Sequence, residues 1–118
     1  MKVEGLVFVG TRCTERAAMA SFIRDLLQLR SSTIEGVDAD VFVLPDGSSF
    51  VVTGADGGPD ERTIGFLVAD LDAAAAELRA AEVDVDEDIS VNDQFRYVHF
   101  RAPDDGLYEL VERRPTRR

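Results

Sequence analysis

The chain has 118 residues, one His, one Cys and no Trp, with 13 Lys plus Arg against 23 Asp plus Glu, a net charge of −10. That size suits one domain, or two small modules sharing a core, and a single His with a single Cys excludes a zinc finger, an iron–sulfur cluster or a multi-histidine metal site within one chain. The acidic field repels nucleic acid, Cys13 has no partner for an intrachain disulfide, and no run approaches the roughly 18 apolar residues that span a membrane.

From the N-terminus, Met-Lys-Val-Glu-Gly lacks the apolar stretch of a signal peptide, so a cytoplasmic protein is expected. Leu6 to Val9 reads as a short buried strand. Cys13 follows at the strand-to-helix transition, where a small, half-buried residue is the expectation. Thr14 is the expected helix N-cap, with Glu15 in the first turn to suit the helix dipole. Ala18, Met19, Phe22, Ile23, Leu26 and Leu29 then recur at three- and four-residue spacing, the apolar stripe of an amphipathic helix. Ser31 to Glu35 reads as a weak strand. Val41 to Leu44 and Ser49 to Thr53 read as two strands joined by the turn Pro45-Asp46-Gly47.

Three Gly and a Pro between Gly54 and Asp60 continue neither helix nor strand, and mark a linker at 54–62. Beyond it the order repeats. Thr63 to Val68 is a strand, Asp70 a cap, and Leu71, Ala74, Ala75, Leu78 and Ala81 a helix stripe. Val83 and Val85, alternating with Asp84 and Asp86, read as a weak edge strand whose charges discourage further pairing. Phe95 to Arg101 and Leu107 to Glu112 are the last two strands, joined through Ala102-Pro-Asp-Asp-Gly106. The tail 114–118 reads, with Arg113, as a basic, solvated end: Arg113, Arg114, Arg117 and Arg118.

The chain is therefore strand, helix, three strands, a linker, and the same again, with equivalent positions about 55 residues apart, as Phe8 is from Thr63. An internal repeat outweighs any single-segment reading. Module 1 covers about 4–54 and module 2 about 62–113, within a single α+β domain. One helix covers one face of each four-stranded sheet, which leaves the other face for a partner or ligand.

Three segments carry a resemblance: Phe22-Ile-Arg-Asp-Leu-Leu-Gln-Leu29, Gly65-Phe-Leu-Val-Ala-Asp-Leu-Asp-Ala-Ala74 and Arg101-Ala-Pro-Asp-Asp-Gly-Leu-Tyr-Glu-Leu110. In order and spacing they resemble the vicinal oxygen chelate superfamily, the glyoxalase, bleomycin-resistance and dioxygenase group, over about Leu6 to Glu112. The resemblance implies two βαβββ modules forming a curved mixed sheet around an open cleft, with the helices on the outer face and the cleft commonly completed in a homodimer. It also implies four metal-ligand positions, which fall on Phe8, approximately Val51, Thr63 and Glu109. Only Glu109 is a ligand type, since a phenyl ring and an isopropyl group donate no lone pair and a Thr hydroxyl is a poor ligand. Gln28 and Glu82 stand where that family ends its helices with Gly.

No metal and no other cofactor is therefore expected, and metal-dependent glyoxalase or dioxygenase chemistry is demoted. The reading that remains is a metal-free, bleomycin-resistance-like protein binding a small, aromatic or cationic molecule in a dimeric cleft, with no nucleic acid and no membrane as partner. Phe8, Gly10, Val51, Thr63, Gly65 and Tyr97 are the candidate ligand-binding residues. Gly10 and Gly65 are placed on the cleft face by strand alternation, where a missing side chain lets a ligand approach or simply relieves crowding. Phe8 is expected either to stack on a ligand or to plug the vacated metal position. A five-residue loop between Arg101 and Leu107 sets His99 opposite Glu109 on the same face as Tyr97 and Val111. That pair is the candidate acid–base site of the alternative, a metal-independent isomerase or lyase in which Glu109 orients the imidazole. A metal-dependent enzyme with an atypical site is the remaining alternative.

Overall fold

The computed structural model describes residues 1–32, 34 and 36–115. Their elements run β1 (Val3–Cys13), α1 (Arg16–Asp25), β2 (Arg30–Ser32), β3 (Asp40–Val43), β4 (Ser49–Gly54), β5 (Glu61–Val68), α2 (Leu71–Ala80), β6 (Ser90–Val91), β7 (Phe95–Arg101) and β8 (Leu107–Arg113). This is βαβββ twice, an α+β chain. The residues fall into two compact units, Phe8–Thr63 in one, and Met1–Val7 with the chain from Ile64 onward in the other.

In the Phe8–Thr63 unit, β4 pairs in parallel with β1, from Phe8↔Ser49 to Cys13↔Gly54, and antiparallel with β3, with β2 on the outer side of β3. A parallel pair needs a long crossover, and α1 lies within it. Ala20 and Ile23 of α1 pack on Phe42 and Val52, with Cys13, Met19, Leu29 and Phe50 half-buried around them. Cys13 thus contributes to packing, as a small half-buried residue does.

Four expectations are corrected in this part of the chain. β1 is longer than Leu6–Val9 and is not buried throughout, with Leu6 exposed and Val7 buried. Thr14 does not cap α1: its backbone N–H and its hydroxyl both donate to the Asp60 carboxylate at 3.0 Å, and Glu15 takes the N-cap position without a side-chain bond. The apolar stripe is narrower than its spacing implies, since Phe22 is 47% and Leu26 70% exposed; the helix ends at Asp25, which puts Leu26 beyond its last turn. The linker shortens to 55–60, because Gly54 still pairs with Cys13 and β5 begins at Glu61. Of the weak strand Ser31–Glu35, β2 contains Ser31 and Ser32, and Thr33 and Glu35 lie outside the described residues.

In the other unit β8 lies between β5 and β7, with β6 beside β7. Asp70 caps α2 as expected, its carboxylate accepting from the Ala73 N–H at 3.1 Å. The helix closes through Glu82 N–H to the Arg79 carbonyl and Val83 N–H to the Leu78 carbonyl, which makes Glu82 the residue just past the C-cap, at φ 62°. Gln28 adopts the same left-handed conformation, φ 57°, after α1. Both positions want the glycine that the sequence lacks. Leu71, Ala74 and Ala75 pack on Val68, Val98 and Leu110 to form the core of this unit.

Two expectations change here as well. The edge strand at Val83–Val85 reduces to a single bridge between Val85 and Phe100, and the two-residue strand beside β7 is Ser90–Val91. The basic end is tied down at its start: the Arg114 N–H donates to the Gln94 carbonyl, its guanidinium donates to the Asn92 carbonyl at 2.7 Å, and Arg113 lies over the Phe95 ring. Arg117 and Arg118 lie outside the described residues. Among those described, no helix is long and apolar enough to cross a membrane.

Candidate functional site

The loop Ala102–Gly106 closes the β7–β8 hairpin, with the Ala102 N–H donating to the Gly106 carbonyl and Asp105 in the left-handed region at φ 63°, where Asp is better tolerated than most residues. This turn fixes the register, from Arg101↔Leu107 through His99↔Glu109 and Tyr97↔Val111 to Phe95↔Arg113. Strand alternation then sorts the faces. Val98, Phe100 and Leu110 pack in the core beneath α2, and Tyr108 stacks on Phe66 and Phe100. Tyr97, His99, Glu109 and Val111 share the opposite face, as the register predicts.

His99 is held at both ring nitrogens. Nε2 is 2.9 Å from Glu109 Oε1, and Nδ1 is 2.9 Å from Asp86 Oδ2. The same Asp86 oxygen accepts the His99 backbone N–H at 2.9 Å. Glu109 is 8% exposed and His99 35%, so the carboxylate is the more buried partner and needs the cation more. The bond to Glu109, aided by the one to Asp86, raises the imidazole above its ordinary range against the opposing effect of burial. Each ring nitrogen thus lies within hydrogen-bond distance of a carboxylate oxygen, an arrangement that favours the protonated ring. Tyr97 meets the His99 ring edge-on at 5.6 Å between centroids. Its phenol is pushed up, first by burial and then by the Glu109 charge, against the opposing hydrogen bond to Ser90.

Asp86 reaches His99 because of what its backbone does. Its N–H donates to the His99 carbonyl, as in an antiparallel ladder, but its own carbonyl is taken by the Arg79 guanidinium at 2.7 Å, and its side chain takes the His99 N–H in place of that carbonyl. This substitution explains why the expected edge strand stops at one bridge. Beside it is a cavity of about 290 Å³ lined by Asp84, Val85, Asp86, His99, Phe100, Arg101 and Leu107, at the small end of the ~300–1,000 Å³ typical of ligand sites. Residue pattern alone does not single out Asp86 or Arg79. The only signal was the Val-Asp-Val-Asp alternation of 83–86, which puts Asp84 and Asp86 on one face.

The remaining candidates lie apart from this cluster in the chain. Phe8, Gly10, Val51 and Thr63 belong to the Phe8–Thr63 unit. A Cβ on Gly10 would sit 2.8 Å from the tip of the Phe8 ring and 3.8 Å from the Thr63 Cβ. The space beside Gly10 is therefore occupied by the Phe8 ring. Val51 is half-buried and is the strand partner of Gly10, while Phe8 is paired with Ser49. Gly65 is buried in β5.

The residues present do not fit the divalent metal that the resemblance implies. Phe8 and Val51 have no donor atoms, Glu109 is engaged by His99, and among the described residues no three His, Cys, Asp or Glu side chains are arranged to hold a metal ion.

Two successive βαβββ units are the fold of the vicinal oxygen chelate proteins. No family model matches the chain, and no curated protein matches its sequence; the likeness is to solved structures. The methylmalonyl-CoA epimerase of Mycobacterium tuberculosis is similar at a TM-score of 0.77 and 21% identity, over 96% of this chain and 90% of that one. A Streptomyces coelicolor methylmalonyl-CoA epimerase in complex with 2-nitronate-propionyl-CoA gives 0.70 and 19%, over 94% and 98%. A halotolerant catechol dioxygenase gives 0.75 and 15%, over 97% of this chain and 41% of that one. At these identities the likeness is one of fold.

Proposed function

We propose that this chain is a metal-free small-molecule-binding protein, taking an aromatic or cationic ligand beside Tyr97 and His99. The observation that carries the reading is the His99 ring fixed between Asp86 and Glu109, each 2.9 Å from a ring nitrogen. Both nitrogens are engaged by the protein, so neither is free to move a proton to or from a substrate. A group locked in this way supplies shape and fixed charge. The adjoining cavity, with Asp84 and Asp86 against Arg101, and the net charge of −10 favour a cation over an anion. The homodimer implied by the resemblance is proposed with it, supported by the apolar surface of Phe22, Leu26 and Leu27, all exposed. Sedimentation showing a monomer at micromolar concentration would remove the dimer from the proposal.

The second reading is a metal-independent isomerase or lyase using His99 and Glu109. What favours it is the pairing itself together with neighbours named as epimerases. One set of measurements separates the two. Benzylammonium should shift the NMR signals of His99 and Tyr97 saturably and be recovered unchanged, and dialysis against zinc or manganese should leave no stoichiometric metal. Deuterium incorporation into methylmalonyl-CoA in heavy water, abolished in both His99→Ala and Glu109→Gln, would replace the first reading with the second.

A further inference from the structure

We propose that Asp86 is the positioning residue of this site: braced by Arg79, it fixes the His99 ring so that Nδ1–H meets Asp86 and Nε2 faces Glu109. The proposal rests on the reading above that the ligand meets this face. Asp86 is held on three sides. Its N–H donates to the His99 carbonyl at 3.0 Å, its carbonyl accepts from the Arg79 guanidinium at 2.7 Å, and its Oδ2 takes two hydrogen bonds from one residue, the backbone N–H and the Nδ1–H of His99, each at 2.9 Å. A carboxylate oxygen that accepts from both the main chain and the ring of the same residue fixes where that ring lies relative to its strand. The ring then has one orientation in which Nε2 meets Glu109.

The brace comes from α2, the helix that packs on the other face of the same sheet. Arg79 reaches the Asp86 carbonyl, and more weakly the Glu87 carbonyl at 3.4 Å. Without that contact the Asp86 carbonyl would be the natural acceptor for the His99 N–H, and the carboxylate would be displaced from the ring. The groups that face the imidazole are Asp86 from this segment, Glu109 from β8 and Tyr97 from its own strand. Asp86 is the one that also grips the backbone, which gives it a role in orientation that Glu109 does not have.

The test is long-range proton–nitrogen NMR on the intact chain, whose single histidine gives one unambiguous imidazole. Near pH 7 Nδ1 should carry a proton, and that Nδ1–H should exchange slowly. Asp86→Asn should keep that proton, because the amide oxygen still accepts, while Asp86→Ala should exchange it roughly ten-fold faster or more. A bare Nδ1 in the unsubstituted protein, or a folded Asp86→Ala whose ring signals match it, would overturn the proposal. If the alanine variant does not fold, the unsubstituted protein and the Asn variant still decide it. These signals are read without ligand: an intact Nδ1–H signature with no benzylammonium response sinks the binding reading alone, and the reverse result sinks the positioning role alone.

Discussion

Removing His99 should cost more than removing its acidic partner. His99→Ala leaves Glu109, 8% exposed, as an unpaired anion. Breaking a buried pair from one side costs ~3–5 kcal/mol, and because His99 is itself 35% exposed we take the low end, about 3 kcal/mol. Glu109→Gln keeps an amide oxygen in reach of Nε2–H and leaves His99 with Asp86, so it should cost about 1 kcal/mol, the worth of one weakened hydrogen bond. The decisive variant is the double one. With the buried charge gone, His99→Ala/Glu109→Gln should be more stable than His99→Ala alone by about 1–2 kcal/mol. The pH dependence has a fixed sign. An imidazole raised by its partners contributes stability that is fully present below about pH 6.5, its ordinary midpoint, and is lost as pH rises through its higher midpoint in the folded protein. The gap between the unsubstituted protein and His99→Ala should therefore narrow between pH 6 and pH 9. Urea unfolding followed by far-UV circular dichroism at both pH values measures all of this. Additive costs in the double variant, or a gap that does not change with pH, would refute the reasoning.

Glu82→Gly should stabilise the chain by up to about 1 kcal/mol, because a left-handed L-residue costs ~1–2 kcal/mol and glycine gives back part of that gain as chain entropy; thermal unfolding will show a raised Tm. Asp70→Ala should cost about 1 kcal/mol by leaving the Ala73 N–H without its acceptor, read from the urea midpoint. Gly10→Ala should cost ~1–3 kcal/mol by driving a methyl group into the Phe8 ring, and Phe8→Leu should relieve much of it in the double variant.

Much of this arrangement is legible in the sequence because it depends on local chemistry. Asp70 caps α2, Pro45-Asp46-Gly47 turns β3 into β4, and the loop Ala102–Gly106 sets a register in which His99 faces Glu109. What was not legible depended on contacts distant in sequence. Thr14 looks like a cap, but Asp60, 46 residues on, claims both of its donors. Phe22 and Leu26 keep helical spacing with Ile23, yet spacing does not say where the helix ends or how wide a face the sheet covers. Asp86 looked like a solvated edge charge. Its place beside His99 depends on Arg79 drawing off its carbonyl, and no pattern of residue types encodes that.

The place of the solitary histidine follows from the hairpin register. A buried carboxylate at position 109 needs a cation, whatever the ancestry of the fold. Phe8 and Val51, at positions that the resemblance assigns to metal ligands, have no donor atoms with which to offer an alternative. The strand opposite Glu109 supplies a cation directly, because the hairpin register leaves no other residue in that place. A one-residue slip would put Val98 or Phe100 there and turn His99 towards α2, so the turn at Ala102–Gly106 secures the charge balance as well as the strand pairing. Both nitrogens of the His99 ring face carboxylates, Glu109 on one side and Asp86 on the other. With both ring nitrogens so engaged, the imidazole is fixed on the face that it shares with Tyr97.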